Sequence, residues 1–366
     1  MKKFKTLHIY PGPIYDAEAV HKAKYEGFSK YCAGGVVSTS NVDQDYRFGD
    51  FNICLRRPKP RNGFTLFLSL LKNSLAMAKK MDSLDVVVSY DPLKTGIIGV
   101  LLKWIFNCKL IVEVNGIYDD PNLYTAGSKK IISKKKIYNA IQKFVLLRAD
   151  GVKGLFPGQL DKLKINDGTI VKIFFDHTNI EPKSPTKNLN KNVLTIGFPL
   201  HIKGIDVLVK AFKLVGRDDW TLTVLGYFNE NDSKVLSGLV GSAKNIKVYP
   251  PVGFSEIPKF IDGSDIFVLA SRSEGMGRVL IEAAARGKAR IGSNIGGIPT
   301  VIEKDVDGYL FESMNVEELA EKLSRLIESD SERARLSNKG YERFARDFSL
   351  DAYLNKYKEF YELVLK

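Results

Sequence analysis

Short apolar, β-branched runs recur along this chain, separated by longer amphipathic stretches. Leu7–Tyr10, Asp85–Ser89 and Lys109–Glu113 predict buried parallel strands, with helices over Phe64–Lys80 and Thr95–Phe106 between them. The alternation then restarts. Val193–Gly197 predicts a strand, and Ile205–Val215 a helix with Ile205, Leu208, Phe212 and Val215 as its apolar positions. Thr221–Gly226, Ile246–Tyr249 and Asp265–Ala270 predict further strands, with Val301 and Leu319–Ile327 in later helices. Repeated βα units imply a parallel sheet with helices on both faces, and two such runs imply two doubly wound α/β domains. The polar, Pro-containing stretch 181–192 predicts a linker between a domain over 1–180 and a second over 193–348. The tail, 349–366, sets aromatics among charges and predicts an amphipathic helix that packs back on the N-terminal domain. No repeat of 20–50 residues is visible.

Length and composition agree with this. The chain has 366 residues, which suits two domains, and 44% hydrophobic with 27% charged residues excludes a disordered chain. Cys32, Cys54 and Cys108 are odd in number and widely spaced, without a CxxC, so they read as buried thiols in a reducing compartment. The basic start, Met1 to Tyr10, has too short an apolar core for a signal peptide before Pro11 and Pro13, and reads as a first strand. The best apolar run, Ile97 to Phe106, is broken by Lys103, so no membrane span is expected.

Charge adds a second theme. Residues 1–180 hold 28 basic and 16 acidic residues, whereas residues 181–366 hold 27 and 26. This asymmetry predicts that the N-terminal half faces something anionic. Residues 128–148 contain seven cations and no acid, with Ile131, Tyr138, Ile141 and Val145 on one helical stripe. This pattern suits a helix lying on an anionic membrane through Lys129, Lys130, Lys134, Lys135 and Lys136. The alternative is a solvated helix whose apolar stripe packs on its own sheet. Arg56, Arg57, Lys59 and Arg61 form a second basic cluster. Nucleic acid is not expected as a partner, because no recognition motif accompanies the charge.

Candidate chemistry concentrates at Ser271–Ala283. A strand, a loop carrying Gly275 and Gly277, and a helix start follow one another, an arrangement that offers free backbone N–H groups to an anion. Glu274 and Glu282 flank the loop. Carboxylates facing vicinal hydroxyls suit sugar or ribose recognition. Equally, Glu282 reads as a solvated helix residue and Glu274 as an acid favoured by the helix dipole.

The pattern Ser-x-x-Glu-Gly-x-Gly-x-x-x-x-Glu-Ala over Ser271–Ala283 resembles the retaining glycosyltransferases of family 4, which have the GT-B fold. Ser293–Pro299, Val301–Ile302 and Asp307–Phe311 fit that family's next stretch, and Val193–Gly197 with Lys203–Asp206 and Ala211–Phe212 fits the opening of its nucleotide-binding domain. The resemblance covers about residues 193–330. It implies two Rossmann-like domains facing across a cleft and transfer of a sugar, of the hexosyl type, from a nucleotide sugar. In that scheme Glu282 holds ribose hydroxyls, Glu274 contacts the donor sugar, and N–H groups near Gly275, Met276, Gly277 and Val279 receive the diphosphate or sugar. Lys203 neutralises the leaving diphosphate.

Departures from the pattern redirect some roles. Phe198 stands where the family usually has an Arg paired with Lys203, and Arg278 is the candidate replacement. Many members place a His near the reaction centre where this chain has Asn115, which orients a hydroxyl but is no base near pH 7. Gly12, in the sole candidate for an N-terminal glycine loop, and Asp91, before Pro92, are the possible acceptor-side residues; Asp91 equally reads as a turn acid. Asp43-x-Asp45 and Asp305-x-Asp307 have the spacing of a metal-linked transferase element but lie in polar, loop-like stretches and read as structural, so no metal is expected. No cofactor is expected beyond a UDP- or GDP-linked sugar as substrate. The resemblance and the basic half together imply a cytoplasmic transferase, peripheral on the inner face of the cell membrane, that extends a surface polysaccharide or lipid-linked glycan. The rivals are a sugar-nucleotide epimerase of the same fold and a non-catalytic nucleotide-sugar-binding subunit. A dehydrogenase is poorly supported, since no Gly-x-Gly-x-x-Gly follows the first strand.

Overall fold

The computed structural model describes residues 3–14, 16–59, 62–116, 129–186 and 189–366, without the side chains of 129–135. The chain divides into two compact units. Of the described residues, those up to 174 and those of 350–366 form unit 1, and those of 175–349 form unit 2.

Unit 1 runs β1 (Phe4–Pro13), α1 (Ala17–Phe28), β2 (Cys32–Thr39), β3 (Gln44–Phe48), β4 (Phe51–Arg56), α2 (Gly63–Lys79), β5 (Val86–Ser89), α3 (Lys94–Phe106), β6 (Lys109–Glu113), α4 (Lys129–Leu146), β7 (Gly151–Gly154) and β8 (Ile170–Ile173). The eight strands lie in the order β3-β4-β2-β1-β5-β6-β7-β8. All pairs are parallel except the β3–β4 hairpin. Thr6 to Ile9 and Val86 to Ser89 are buried on both faces, as a sheet covered on both sides requires. Chain order reverses between β1 and β5, so the crevice of this sheet opens at the carboxyl ends of those two strands.

Unit 2 runs β9 (Asn192–Ile196), α5 (Ile205–Val215), β10 (Thr221–Leu225), α6 (Glu230–Val240), β11 (Ile246–Tyr249), α7 (Ile257–Asp262), β12 (Ile266–Leu269), α8 (Arg278–Ala285), β13 (Ala289–Ser293), α9 (Ile298–Val301), β14 (Tyr309–Phe311), α10 (Val316–Glu328) and α11 (Asp330–Arg343). Its six parallel strands follow the order β11-β10-β9-β12-β13-β14. The switch point lies between β9 and β12. The helices form because their apolar positions recur on one face: Ile205, Leu208 and Phe212 on α5, and Leu319, Leu323, Leu326 and Ile327 on α10, bury into one core with β9 and β12. Asn315 caps α10 by accepting the Glu318 N–H at 3.0 Å.

The last helix, α12 (Leu350–Val364), belongs to unit 1. Tyr353, Tyr357, Phe360 and Tyr361 are buried there, with Tyr357 Oη donating to Glu113 and Tyr361 Oη lying 3.3 Å from a ring nitrogen of His8. The polar stretch 181–192, expected as a free linker, instead belongs to unit 2 over its described residues: the Lys183 N–H donates to the Ala285 carbonyl at 2.8 Å, and the Asn190 and Asn192 N–H groups reach the Asp265 carboxylate at 3.0 Å. Backbone donors exposed by a lack of regular structure are satisfied by the loops they cross; the chain passes from unit 1 to unit 2 at Phe174–Phe175 and returns at Ser349–Leu350.

Candidate functional site

The site of unit 2 is assembled by the loops after β9 and β12, the two strands flanking its switch point. After β9 the chain passes Gly197 and Phe198 to Lys203, and Gly204 opens α5 at φ 61°. A Cβ there would sit 1.8 Å from the Ala270 carbonyl oxygen, so this turn approaches β12 as only glycine permits. After β12 the chain passes Ser271, Arg272 and Glu274, and Gly277, at φ 76°, opens α8. No side chain caps α8 and its first turn carries no acid. The first N–H groups of this helix, with the positive end of its dipole, are directed at the loop.

Lys203 and Glu274 meet across these loops. Lys203 Nζ lies 2.5 Å from Glu274 Oε2, and Ser271 Oγ donates to the same oxygen at 3.3 Å. Arg272, to which the sequence alone assigns no role, fixes the arrangement. Its guanidinium grips Asp206 in two 2.7 Å bonds and donates to the His201 carbonyl at 2.6 Å, while its N–H donates to the Ile202 carbonyl. The Lys203 turn is thereby tied to the Glu274 loop by a bidentate pair. Burial pushes the Asp206 carboxyl up, but the bonds and charge of Arg272 outweigh it and hold it below the usual carboxylate range. Asp206 in the first turn of α5, just after the Lys203 turn, was the part of this pair that the sequence displayed.

Glu282 is 6% exposed, so the solvated-helix reading is overturned. It lies on the inward face of α8 with Leu280, Ile281 and Ala283, and Thr178 Oγ1 stands 3.5 Å from Oε1. Burial pushes its carboxyl up to about 7, against the opposing influence of Arg278 and Thr178. Glu274 lies outside α8 rather than in its first turn, so its role as a dipole-favoured helix acid is also corrected. Arg278 is half-exposed, with Nη2 3.6 Å from Asp176 Oδ2, close enough to Glu282 to influence its carboxyl. Met276 buries its side chain, leaving its backbone as the part available to a ligand, and Gly275 and Val279 are half-buried beside it. Phe198 is 59% exposed and meets the equally exposed Tyr227 edge to face, ring centroids 6.2 Å apart.

The remaining candidates lie in unit 1. Gly12 is near the end of β1, in open space, its carbonyl accepting from Ser38 Oγ. Asp91 follows β5, so both stand at that sheet's switch point. Asp91 is buried, accepts the Leu93 N–H at 2.5 Å and pairs with Thr95 Oγ1 at 3.2 Å, which is the work of a turn acid leading into α3. Burial raises its carboxyl, with those bonds opposing. Asn115 follows β6; its Nδ2 donates to the Tyr90 carbonyl at 3.2 Å, and its Oδ1 is buried without a hydrogen-bond donor.

Of the basic helix, Ser128 and the side chains of Lys129, Lys130, Ile131, Lys134 and Lys135 lie outside the described residues, as do Pro60 and Arg61. Lys136 is exposed. The apolar stripe differs from expectation: Val145 is fully buried and Ile141 packs on the same core, so this part of the stripe is spent on the sheet, while Ile137, Tyr138 and Phe144 face outward. Among the described residues, no three His, Cys, Asp or Glu side chains gather as a metal site would need, and no helix is long and apolar enough to cross a membrane. All three cysteines are free and buried.

This geometry has relatives. Residues 176–343 match the family of glycosyl transferases group 1. An uncharacterized glycosyltransferase of Haemophilus influenzae is 26% identical over 205 residues, 54% of this chain and 56% of that protein. N,N'-diacetylbacillosaminyl-diphospho-undecaprenol alpha-1,3-N-acetylgalactosaminyltransferase of Campylobacter jejuni is 24% identical over 314 residues, 81% of this chain and 82% of that protein. Among solved structures, Anabaena HepE in complex with UDP and glucose superposes with a TM-score of 0.73 at 15% identity, over 97% of this chain and 98% of that one. The fold is GT-B. The group 1 match lies within unit 2, and the relatives it accompanies are glycosyltransferases by name.

Proposed function

We propose that this protein is a retaining, metal-independent hexosyltransferase of family 4 that moves a sugar from a UDP- or GDP-linked donor to a surface polysaccharide or lipid-linked glycan. The observation that carries the reading is Lys203 Nζ at 2.5 Å from Glu274 beside the uncapped start of α8. A diphosphate here meets one cation and a helix amino end already oriented, and Glu274 is left to accept hydroxyls of the sugar. Buried Glu282, one helical turn further, is suited to ribose hydroxyls, and half-exposed Arg278 to a phosphate oxygen.

In the reaction the bond from the sugar's anomeric carbon to the phosphate oxygen breaks. Negative charge then grows on the diphosphate, and the ring gains positive character. Lys203 and the α8 N–H groups stabilise the leaving group, the acceptor hydroxyl attacks on the face it vacates, and its proton passes to the departing phosphate. Asn115 Oδ1, buried without a donor, is suited to accept from an acceptor hydroxyl in unit 1, with Gly12 leaving open space nearby on the same side of that sheet. Three of the four carboxylates in the two Asp-x-Asp pairs are otherwise engaged. Asp43 accepts the Arg57 N–H and Asp45 pairs with Arg56, while Asp307 pairs with Arg290 and Arg343. The Campylobacter relative's name includes a diphospho-undecaprenol acceptor, and the cationic excess of residues 1–180 fits a similar acceptor held at the inner face of a membrane.

Thermal denaturation with a panel of UDP-, GDP- and ADP-sugars tests the donor, since a ligand of the native state raises its melting temperature. NMR of the anomeric proton in the transferred product tests retention. A product of inverted configuration, or no shift with any nucleotide sugar, counts against the reading.

A further inference from the structure

At the opposite end of the unit 1 sheet, where β6, β7 and β8 begin, lies a cavity of about 470 Å³. Six residue steps along and past β6 separate its lining residue Lys109 from Asn115, roughly 20 Å of extended chain. Lys103, Lys109, Arg148 and Lys366 line it, with Asp150 as the lining acid. Asp150 is already shared: it lies 2.6 Å from Lys103 Nζ, 3.7 Å from Lys109 Nζ, and accepts the Leu110 N–H at 2.8 Å. Four cationic side chains against one divided carboxylate side chain leave the lining side chains net positive.

Its rim is apolar and exposed. Trp104 and Ile105, at the end of α3, are 58% and 59% exposed, and Phe144, at the end of α4, is 38% exposed. The Trp104 and Phe144 rings meet edge to face at 6.4 Å, and the Arg148 guanidinium lies 3.9 Å from the Phe144 ring centre. Large side chains exposed together beside a cationic pocket mark a surface that something covers. A free phosphate would use the cations and leave the aromatic pair in water. A phospholipid uses both, because its phosphate suits Arg and Lys while the adjoining interface suits Trp and Phe.

We propose that this cavity binds the phosphate of an anionic phospholipid headgroup, with Trp104, Ile105 and Phe144 entering the interface beside it. The inference rests on the membrane location proposed above and assigns it to the α3–α4 end of unit 1, apart from the lysines in the first turns of α4.

The chain has two tryptophans, and Trp220 is 1% exposed in the core of unit 2, so a vesicle-induced change in emission reports Trp104. With vesicles of phosphatidylcholine and phosphatidylglycerol at low salt, the full-length protein should sediment, its emission should shift to the blue, and brominated acyl chains should quench it. Trp104→Phe should abolish the shift. Lys109→Gln with Arg148→Gln should weaken partitioning about thirtyfold, from about 1 kcal/mol per cation. Sedimentation with unchanged Trp104 emission overturns this site and leaves the membrane location standing; no sedimentation overturns both. Glycerol phosphate protecting Lys109 and Lys103 from acylation, with no vesicle-induced shift, would assign the cavity to a soluble phosphate and refute the lipid.

Discussion

Lys203 Nζ and Glu274 Oε2 stand 2.5 Å apart, a contact between side chains 71 positions apart in sequence and only 22% and 14% exposed. Without a ligand each group neutralises the other, which keeps two partly buried charges paired. In the proposed function a diphosphate offers Lys203 a stronger partner and frees Glu274 for hydroxyls, which would make the ion pair the resting form of the site.

Lys203→Met should therefore lower kcat by about 10²–10³, the scale for losing one preoriented charge donor. Glu274→Gln should lower turnover too, while keeping much of the affinity for free nucleoside diphosphate. Steady-state transfer kinetics beside calorimetric binding of the nucleotide separate the two. Equal loss of nucleotide binding in both variants would show that Glu274 acts on Lys203 alone.

Arg272 holds the turn that carries Lys203, touching neither of the two charged groups. Arg272→Lys keeps the charge but cannot reproduce the two-pronged bond to Asp206, and should cost roughly 1.5–3 kcal/mol of stability. Because Asp206 is held below its ordinary range, its contribution is present above the unfolded pKa and is lost as pH falls through the folded one. Chemical denaturation at pH 7 and at pH 3 should accordingly show a smaller gap between wild type and variant at the lower pH. A constant gap would remove Asp206 from the account.

Asp307 is the centre of a buried cluster, 2.9 Å from Arg290 and 2.8 Å from Arg343. Asp307→Ala strands two guanidinium groups and should destabilise unit 2 by about 3–5 kcal/mol. If Asp307 has this structural task, EDTA should leave turnover unchanged and added Mn²⁺ should not raise it. Turnover abolished by EDTA and restored by Mn²⁺ would reverse the assignment.

The strands and most helices were legible because their signals are local. Val86–Ser89, Lys109–Glu113 and Ile205–Val215 are apolar in the period that their burial demands. The glycine loop was legible because Gly277 and the acids around it lie in one short segment. What escaped depends on contacts distant in sequence. Nothing local says that Arg272 reaches back 66 positions to Asp206, or that Arg278 turns toward Asp176. The apolar stripe of α4 was correctly periodic, yet periodicity gives a face and not its partner. Val145 found the sheet, leaving Phe144 and Trp104 outside. For residues 181–192 composition described a linker, but hydrogen bonding decided where the stretch lies.

Glu282 gives the site a dependence on pH near neutrality. Its carboxyl, buried on α8, is raised from about 4.5 to about 7 chiefly by burial. Between those values the folded protein holds a proton that the unfolded chain has lost, so this group's contribution to stability is full below about 4.5 and declines as pH rises to about 7. Glu282→Gln, which keeps the neutral shape, should lose this slope and be more stable than wild type at pH 8. Binding should run the other way. The ionised carboxylate is the better acceptor for ribose hydroxyls, so nucleotide affinity should rise in wild type from pH 6 to pH 8 and stay nearly flat in the variant. Calorimetric titration at the two pH values decides this, with free nucleotide ionisation corrected by the same measurement on Glu282→Gln. Parallel profiles in both proteins would mean that Glu282 does not face the ribose.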